Sequence, residues 1–271
     1  MDSEITHLLL ESRLSGINEA QKRARIALFF STLAAGTIIA ALWNAYFSWD
    51  RQWASIAKEP TSWGQQQLLA HQIEEWMQSN TVDISLLGIR VSASDAAVLG
   101  SVVLLIFSFY HCMTKRRENH EIGSLLVETK TEEPRLRKFV FSRIQSFMVF
   151  TAISDDDSPY VTLDENRKPE SKRLLGQFWF GLLTYFPVLT ITFILFTDIY
   201  FSFFYISPWR GNSTSAWATL SLIYQRQLVA MDTFAFISGL LIAYFCRQTV
   251  IFHQSTRKIM YAFSRLPSER V

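Results

Sequence analysis

The stretch IALFFSTLAAGTIIAALWNAYFSW, residues 26–49, decides the fold class, because none of its 24 residues is Asp, Glu, Lys or Arg. A bilayer core is about 30 Å thick, and an α-helix of roughly 20 apolar residues crosses it. The stretch lies too far from the N-terminus, and is too long, for the apolar region of a cleaved signal peptide, which has about 7–15 residues. It therefore predicts an uncleaved signal anchor that spans the membrane.

Three further segments repeat this pattern. Residues 96–114 and 174–197 contain no charged side chain, and residues 227–246 contain only Asp232. The whole chain has 271 residues, of which 49% are hydrophobic and 18% charged, whereas soluble domains carry about 25% charged residues. The sequence predicts an all-α integral membrane protein, a four-transmembrane-helix bundle with interfacial and juxtamembrane helices. Three spans and a re-entrant segment are the alternative.

The four apolar segments divide the chain into nine parts. The predicted spans are residues 26–48, 95–114, 174–206 (including an outer aromatic belt) and 228–252. The parts between and beside them are an N-terminal cytoplasmic amphipathic helix at 1–25, an outer loop with a short helix at 49–94, a cytoplasmic loop with a basic amphipathic segment at 115–173, an outer loop at 207–227, and a cytoplasmic basic tail at 253–271.

The distribution of Lys and Arg predicts the orientation. The N-terminal part has four of these residues, the second loop twelve and the tail from Arg247 five, whereas the first and third loops have three and two. Loops that carry an excess of Lys and Arg stay in the cytoplasm. Both termini and the second loop are therefore predicted to be cytoplasmic. The predicted location is the plasma membrane, or the inner membrane of a bacterium.

A basic and apolar stretch, Arg135 to Ile153, lies in the second loop, and Pro134 suits the first position of a helix there. As a helix it would contact anionic lipids of the inner leaflet through four basic residues, although its apolar triplets also fit a strand. A fifth basic residue, in the fourth span, is predicted to reach the same headgroups. The predicted inner-leaflet contacts are Arg135, Arg137, Lys138, Arg143 and Arg247.

Acidic residues mark the predicted outer ends of three spans. Asp95, Asp198 and Asp232 either reach water singly or form an outer acidic cluster that attracts cations. Pro187 lies in the middle of the third span and predicts a kink, because proline lacks the amide donor that the helix requires. Thr184 and Thr190 lie about one turn on either side of the proline, and their hydroxyl groups could compensate for that loss.

Pairs of small residues four apart predict close helix contacts in three spans. The third span lacks such a pair and is rich in Phe, Tyr and Trp, so we expect it to face lipid or another subunit. The pairs are Gly36 with Ala40, Ala96 with Gly100, and Gly239 with Ala243.

The sequence contains no nucleotide-binding, hydrolase, zinc-protease or Cys-x-x-Cys signature. No catalytic residue, cofactor, metal or nucleic-acid partner is predicted. The favoured hypothesis is a non-enzymatic multi-pass membrane protein, an accessory or scaffold subunit that binds lipid and either other membrane subunits or further copies of itself. The alternative hypothesis is a homo-oligomeric ion pore or transporter with the outer acidic cluster at its mouth.

Overall fold

The computed structural model describes residues 2–56, 81–84, 89–131, 134–146, 170–200 and 221–264. This part of the chain consists of five α-helices, one short 3₁₀ turn and one pair of strands. In chain order they are α1 Asp2–Ile56, β1 Thr81–Ile84, β2 Ile89–Ser92, α2 Ala93–Glu128, the 3₁₀ turn Thr129–Thr131, α3 Pro134–Ser146, α4 Glu170–Ile199 and α5 Leu222–Ser264.

Four of the helices are long and apolar enough to cross a membrane. The prediction of four such helices is therefore confirmed. The apolar regions of α1, α2, α4 and α5 lie within Leu9–Trp43, Val98–Glu128, Phe178–Thr197 and Gln225–Phe263.

The helices extend well beyond the predicted spans. α1 is continuous from its polar start through the first apolar segment. The polar part, residues 1–25, contains no proline and a single glycine, Gly16. α2 does not end at the predicted boundary, Thr114, but continues to Glu128. Its basic and acidic side chains lie three or four residues apart there, which stabilises a helix. The first part of the predicted second loop is thus helical.

A seven-residue repeat of buried positions runs along the long helices. In α1 the buried residues include Leu14, Gln21, Leu28, Ala35 and Leu42. In α5 they include Ala235, Ile242, Thr249, Thr256 and Phe263. A spacing of 3.5 residues per turn keeps one face of a helix against its neighbours. The repeat extends beyond the apolar stretches, so it includes polar residues as well.

The chain divides into two compact units, and each long helix contributes to both. The first unit comprises Met1–Thr32, Phe107–Phe186 and Ala243–Val271. Its apolar core joins α1, α2, α3 and α5, and we call it the first-unit core. Its buried members are Leu14, Ile17, Ile122, Leu125, Leu126, Val140, Ile144, Met260 and Phe263.

The second unit comprises Leu33–Ile106 and Pro187–Ile242. Its buried cluster joins α1 to α4 through Leu42, Ile191 and Ile194. Two glycines allow close helix approach: a methyl group on Gly100 would lie 3.2 Å from Ile38 Cδ1, and one on Gly239 would lie 3.3 Å from Ile191 Cγ2. These two members of the predicted small-residue pairs therefore lie at helix contacts.

The strands β1 and β2 form an antiparallel hairpin in the second unit. Thr81 pairs with Ser92, and Ile84 pairs with Ile89. The hairpin is the only strand element among the described residues, which are otherwise almost entirely helical.

The third apolar segment, which was expected to face lipid or another subunit, is the most covered of the four, although several of its aromatic rings are exposed. Phe180 and Ile191 of α4 are buried, whereas Phe196 is 68% exposed. In α4, 39% of the apolar window is buried, the largest share of the four helices, and in α5 only 17% is buried. The fourth apolar helix is therefore the least covered.

Candidate functional site

The three predicted outer acidic residues all belong to helices, at or within three turns of a helix end. Asp95 is in the first turn of α2, and Asp198 is one residue before the end of α4. The side chains of both lie outside the described part of the structure. Asp232 lies in the third turn of α5, where it is half-buried. The acidic cluster therefore stays a prediction.

Pro187 lies inside α4 and is buried. The helix is continuous through it, and the kink stays a prediction. The hydroxyl of Thr184 is also buried, and it makes no hydrogen bond within the described residues. Thr184 therefore does not supply the compensating hydroxyl that the sequence suggested.

The basic stretch after Pro134 is helical where the structure describes it, and α3 begins at that proline. Residues 147–153 of the predicted stretch lie outside the described part. The apolar residues Val140 and Ile144 of α3 are fully buried in the first-unit core. Because these two side chains are already packed against other helices of the protein, they do not insert into lipid.

The basic residues of α3 differ in exposure. Lys138 and Arg143 are exposed, Arg137 is half-buried, and the side chain of Arg135 lies outside the described part. Arg247, on α5, is exposed. Contact of these residues with anionic lipid remains a prediction. Its basis is the positive charge of the exposed side chains, because the apolar face of α3 is not available for insertion into the bilayer.

The first unit contains a buried ion pair that the sequence did not predict. Lys115 Nζ donates to Glu118 Oε2 at 2.7 Å, and the two side chains are only 13% and 6% exposed. Both residues belong to the buried face of α2. A charge taken out of water is costly unless an opposite charge compensates it closely, so each residue requires the other.

An aromatic ring lies over the cation of this ion pair. The ammonium of Lys115 lies 5.5 Å from the ring centroid of Phe180, a residue of α4. That ring stacks on the imidazole of His253, from α5, with centroids 4.0 Å apart and planes 25° apart. A cation over an aromatic face is stabilised by the ring quadrupole. Lys115 therefore connects three helices of the first unit.

Further polar groups are buried beside the pair. His111 is 3% exposed, and its Nε2 atom makes no hydrogen bond within the described residues. The Nε2 atom of His253 also lacks one there. Cys112 and Cys246 are free thiols, both buried. We call Lys115, Glu118, His111 and His253 the buried polar layer.

The buried polar layer could have been found from spacing. Ser101, Ser108 and Lys115 are seven residues apart, and so are His111 and Glu118. On a helix packed with a seven-residue repeat, these two series share one face. A search for uncharged stretches assigns Lys115 and Glu118 to a loop, because it takes every charged residue as the end of a span.

Within the described residues, no group of three or more His, Cys, Asp and Glu side chains could hold a metal ion. His111, His253, Cys112 and Cys246 are therefore not part of such a group.

A basic groove lies on the surface of the first unit, with a volume of about 430 Å³. α2 contributes most of its lining and α5 contributes one aromatic ring. We call it the α2–α5 groove, and it is lined by Met113, Arg116, Arg117, Asn119, His120 and Phe252.

The chain matches no protein-family model, no curated protein and no solved structure. Its function must therefore be inferred from its own residues.

Proposed function

We propose that this chain is an integral membrane protein in which α1, α2, α4 and α5 cross the bilayer as a four-helix bundle. In this proposal both termini and α3 lie in the cytoplasm, and the membrane is the plasma membrane or a bacterial inner membrane. The excess of Lys and Arg in the N-terminal part, the second loop and the tail supports this orientation. The exposed apolar side chains of α5 and α1 would then contact lipid.

Within the bilayer the chain acts as an accessory or scaffold subunit and not as an enzyme. The observation that carries this proposal is the first-unit core, in which α3 covers the ends of α1, α2 and α5. From Lys115 to Glu128, α2 continues for about 20 Å at 1.5 Å per residue. A packed helical projection of this length suits the binding of other protein chains at the membrane.

Contacts between the helices of the first unit support a rigid projection. Arg13 Nη2, on α1, donates to Glu128 Oε1, on α2, at 3.2 Å. Phe141 of α3 stacks on Phe263 of α5 with ring centroids 6.4 Å apart. The exposed ion pair contributes at most about 1 kcal/mol, whereas the buried apolar residues provide most of the stability.

The test is the mass of the particle extracted with its native lipid. We expect a particle that contains other chains, or several copies of this one, in a fixed ratio. A Phe139→Asp/Lys138→Glu variant changes exposed residues of α3 and should release those chains if α3 binds them. A particle with a single 31.3 kDa chain and no partner would contradict the scaffold proposal.

The alternative proposal, an ion pore or transporter, is favoured by the buried polar residues of α2. Ser101, Ser108 and His111 are at most 3% exposed, and Glu118, about one turn beyond the predicted span, is 5% exposed. Polar residues inside membrane helices commonly mark an ion or proton pathway. Flux into reconstituted vesicles that is reduced by Glu118→Gln, or by Asp198→Asn or Asp232→Asn at the predicted mouth, would support it. Wild-type vesicles without flux would remove it.

A further inference from the structure

We propose that the α2–α5 groove binds the headgroup of an anionic phospholipid. Met113, Arg116, Arg117 and His120 lie on one face of α2, because they are three, four and seven residues apart. Phe252 of α5 forms the opposite wall. The inference rests on the proposed membrane location, and it names a lipid class and a site that the proposed function does not contain.

The groove has positive charge that is only weakly compensated. Arg116 is exposed and forms no ion pair within the described residues. Arg117 Nε lies 3.9 Å from Glu121 Oε1, and its side chain is 65% exposed, so this pair is loose. His120 is also exposed. Two guanidinium groups side by side match the oxygen atoms of a phosphodiester, which they can contact in a bidentate manner.

Contacts between the two helices hold the groove in shape. Thr256 Oγ1, on α5, lies 3.0 Å from Asn119 Oδ1, on α2. One turn further along α2, a methyl group on Gly123 would lie 3.8 Å from Ile259 Cδ1. Because the walls are fixed by these contacts, a ligand loses little free energy to rearrangement when it binds.

The apolar end of the groove selects a lipid over a free phosphate. Met113 precedes the arginines, on the side of the apolar segment of α2. One turn before it, Phe109 packs edge-to-face on Phe245 with centroids 5.3 Å apart, and Phe109 is 47% exposed. An acyl chain can lie along this aromatic surface while its phosphate contacts Arg116 and Arg117. Basic pockets between membrane helices on the cytoplasmic side bind anionic headgroups in this way.

The test uses the full-length protein in a neutral detergent. Dioctanoyl phosphatidylglycerol is titrated and bound lipid is counted by native mass spectrometry, with dioctanoyl phosphatidylcholine and glycerol 1-phosphate as separate probes. Each basic residue near an anionic lipid contributes about fivefold in affinity, so Arg116→Gln/Arg117→Gln should weaken phosphatidylglycerol binding about 25-fold. High salt should weaken it as well.

The matched control is Lys22→Gln/Arg23→Gln on α1. It removes the same charge from two adjacent exposed residues of the same unit, and Arg23, like Arg117, has a glutamate partner one turn away, at 3.0 Å. We expect this control to change the affinity less than about threefold. An equal loss in both variants would show that net charge, and not the groove, binds the lipid.

Two results on the wild-type protein also decide the question, whether or not the variants fold. Equal binding of phosphatidylcholine would overturn the inference, and equal binding of glycerol 1-phosphate would show a free-phosphate site instead. The membrane proposal fails separately, if the chain stays in solution without detergent. A chain that requires detergent but does not distinguish the two headgroups overturns the lipid site alone.

Discussion

At the scale of single residues, burial decides the role of Lys115. By sequence it is the first residue of the basic run Lys115–Arg116–Arg117, a typical flank of a membrane helix. In the structure the three side chains separate: Lys115 turns to the buried pair with Glu118, whereas Arg116 and Arg117 line the groove. A helix places consecutive residues about 100° apart, so neighbours in sequence face different surroundings. Composition alone cannot make this distinction.

Removing one partner of the buried pair should destabilise the protein strongly. Lys115→Met leaves the Glu118 carboxylate buried without its cation, which typically costs about 3–5 kcal/mol. The double variant Lys115→Met/Glu118→Leu should recover most of that loss, because no charge remains to be desolvated. Denaturant unfolding in detergent micelles, followed by helical circular dichroism, measures both. A double variant that is as unstable as Lys115→Met would contradict a specific pairing.

At the scale of elements, the uncharged apolar stretches predicted which helices exist better than where those helices end. Length and apolarity identified α1, α2, α4 and α5, and Pro134 identified the start of α3. The end of α2 was missed, because residues 115–128 are polar on one side and buried on the other. Charge density alone makes such a segment look like a loop. The contact between α3 and the first-unit core depends on residues far apart in sequence, so no local pattern could specify it.

A test of α3 replaces one buried and one exposed residue. Val140→Asp places a carboxylate in the first-unit core, where Val140 is 0% exposed. We expect a loss of about 3 kcal/mol or more, since a buried charge lacks water and a partner there. The matched control Phe139→Asp, at a site that is 47% exposed, should cost less than about 1 kcal/mol. Limited proteolysis of the second loop should become faster only in Val140→Asp. Equal proteolysis of both variants would mean that α3 does not pack as described.

The proline of α4 gives a second test at this scale. An interior proline is about 3 kcal/mol less favourable than alanine in a helix, but Pro187 is buried, so Pro187→Ala also loses apolar contacts. We expect a net gain of about 1 kcal/mol in unfolding free energy, with Val188→Ala as the control for lost side-chain volume. If the predicted kink positions Asp198, the variant should insert normally and lose its partners or its flux. A less stable variant would show that packing of the ring outweighs the missing amide.

At the scale of the whole molecule, the orientation proposal depends on the count of Lys and Arg. The three parts proposed to be cytoplasmic hold 21 of the 26 basic residues. The positions of the basic residues add to this evidence. Lys115, Arg116 and Arg117 directly follow an apolar segment, and the rule is most reliable close to the ends of spans. The second loop is about 60 residues long, and it is the basic residues next to the spans that determine orientation in a loop of this length.

Cysteine labelling tests the orientation directly. In a Cys112→Ser/Cys246→Ser background, a cysteine at Gln66 should react with a membrane-impermeant maleimide in intact cells, because the first loop is proposed to be outside. A cysteine at Glu165, in the second loop, should react only after permeabilisation. Since an even number of crossings puts both termini on one side, an N-terminal tag and a C-terminal tag should behave like Glu165. Labelling of Glu165 in intact cells would reverse the orientation. Tags on opposite sides would show an odd number of crossings, which three spans and a re-entrant segment require. One of the four apolar helices would then not cross the bilayer.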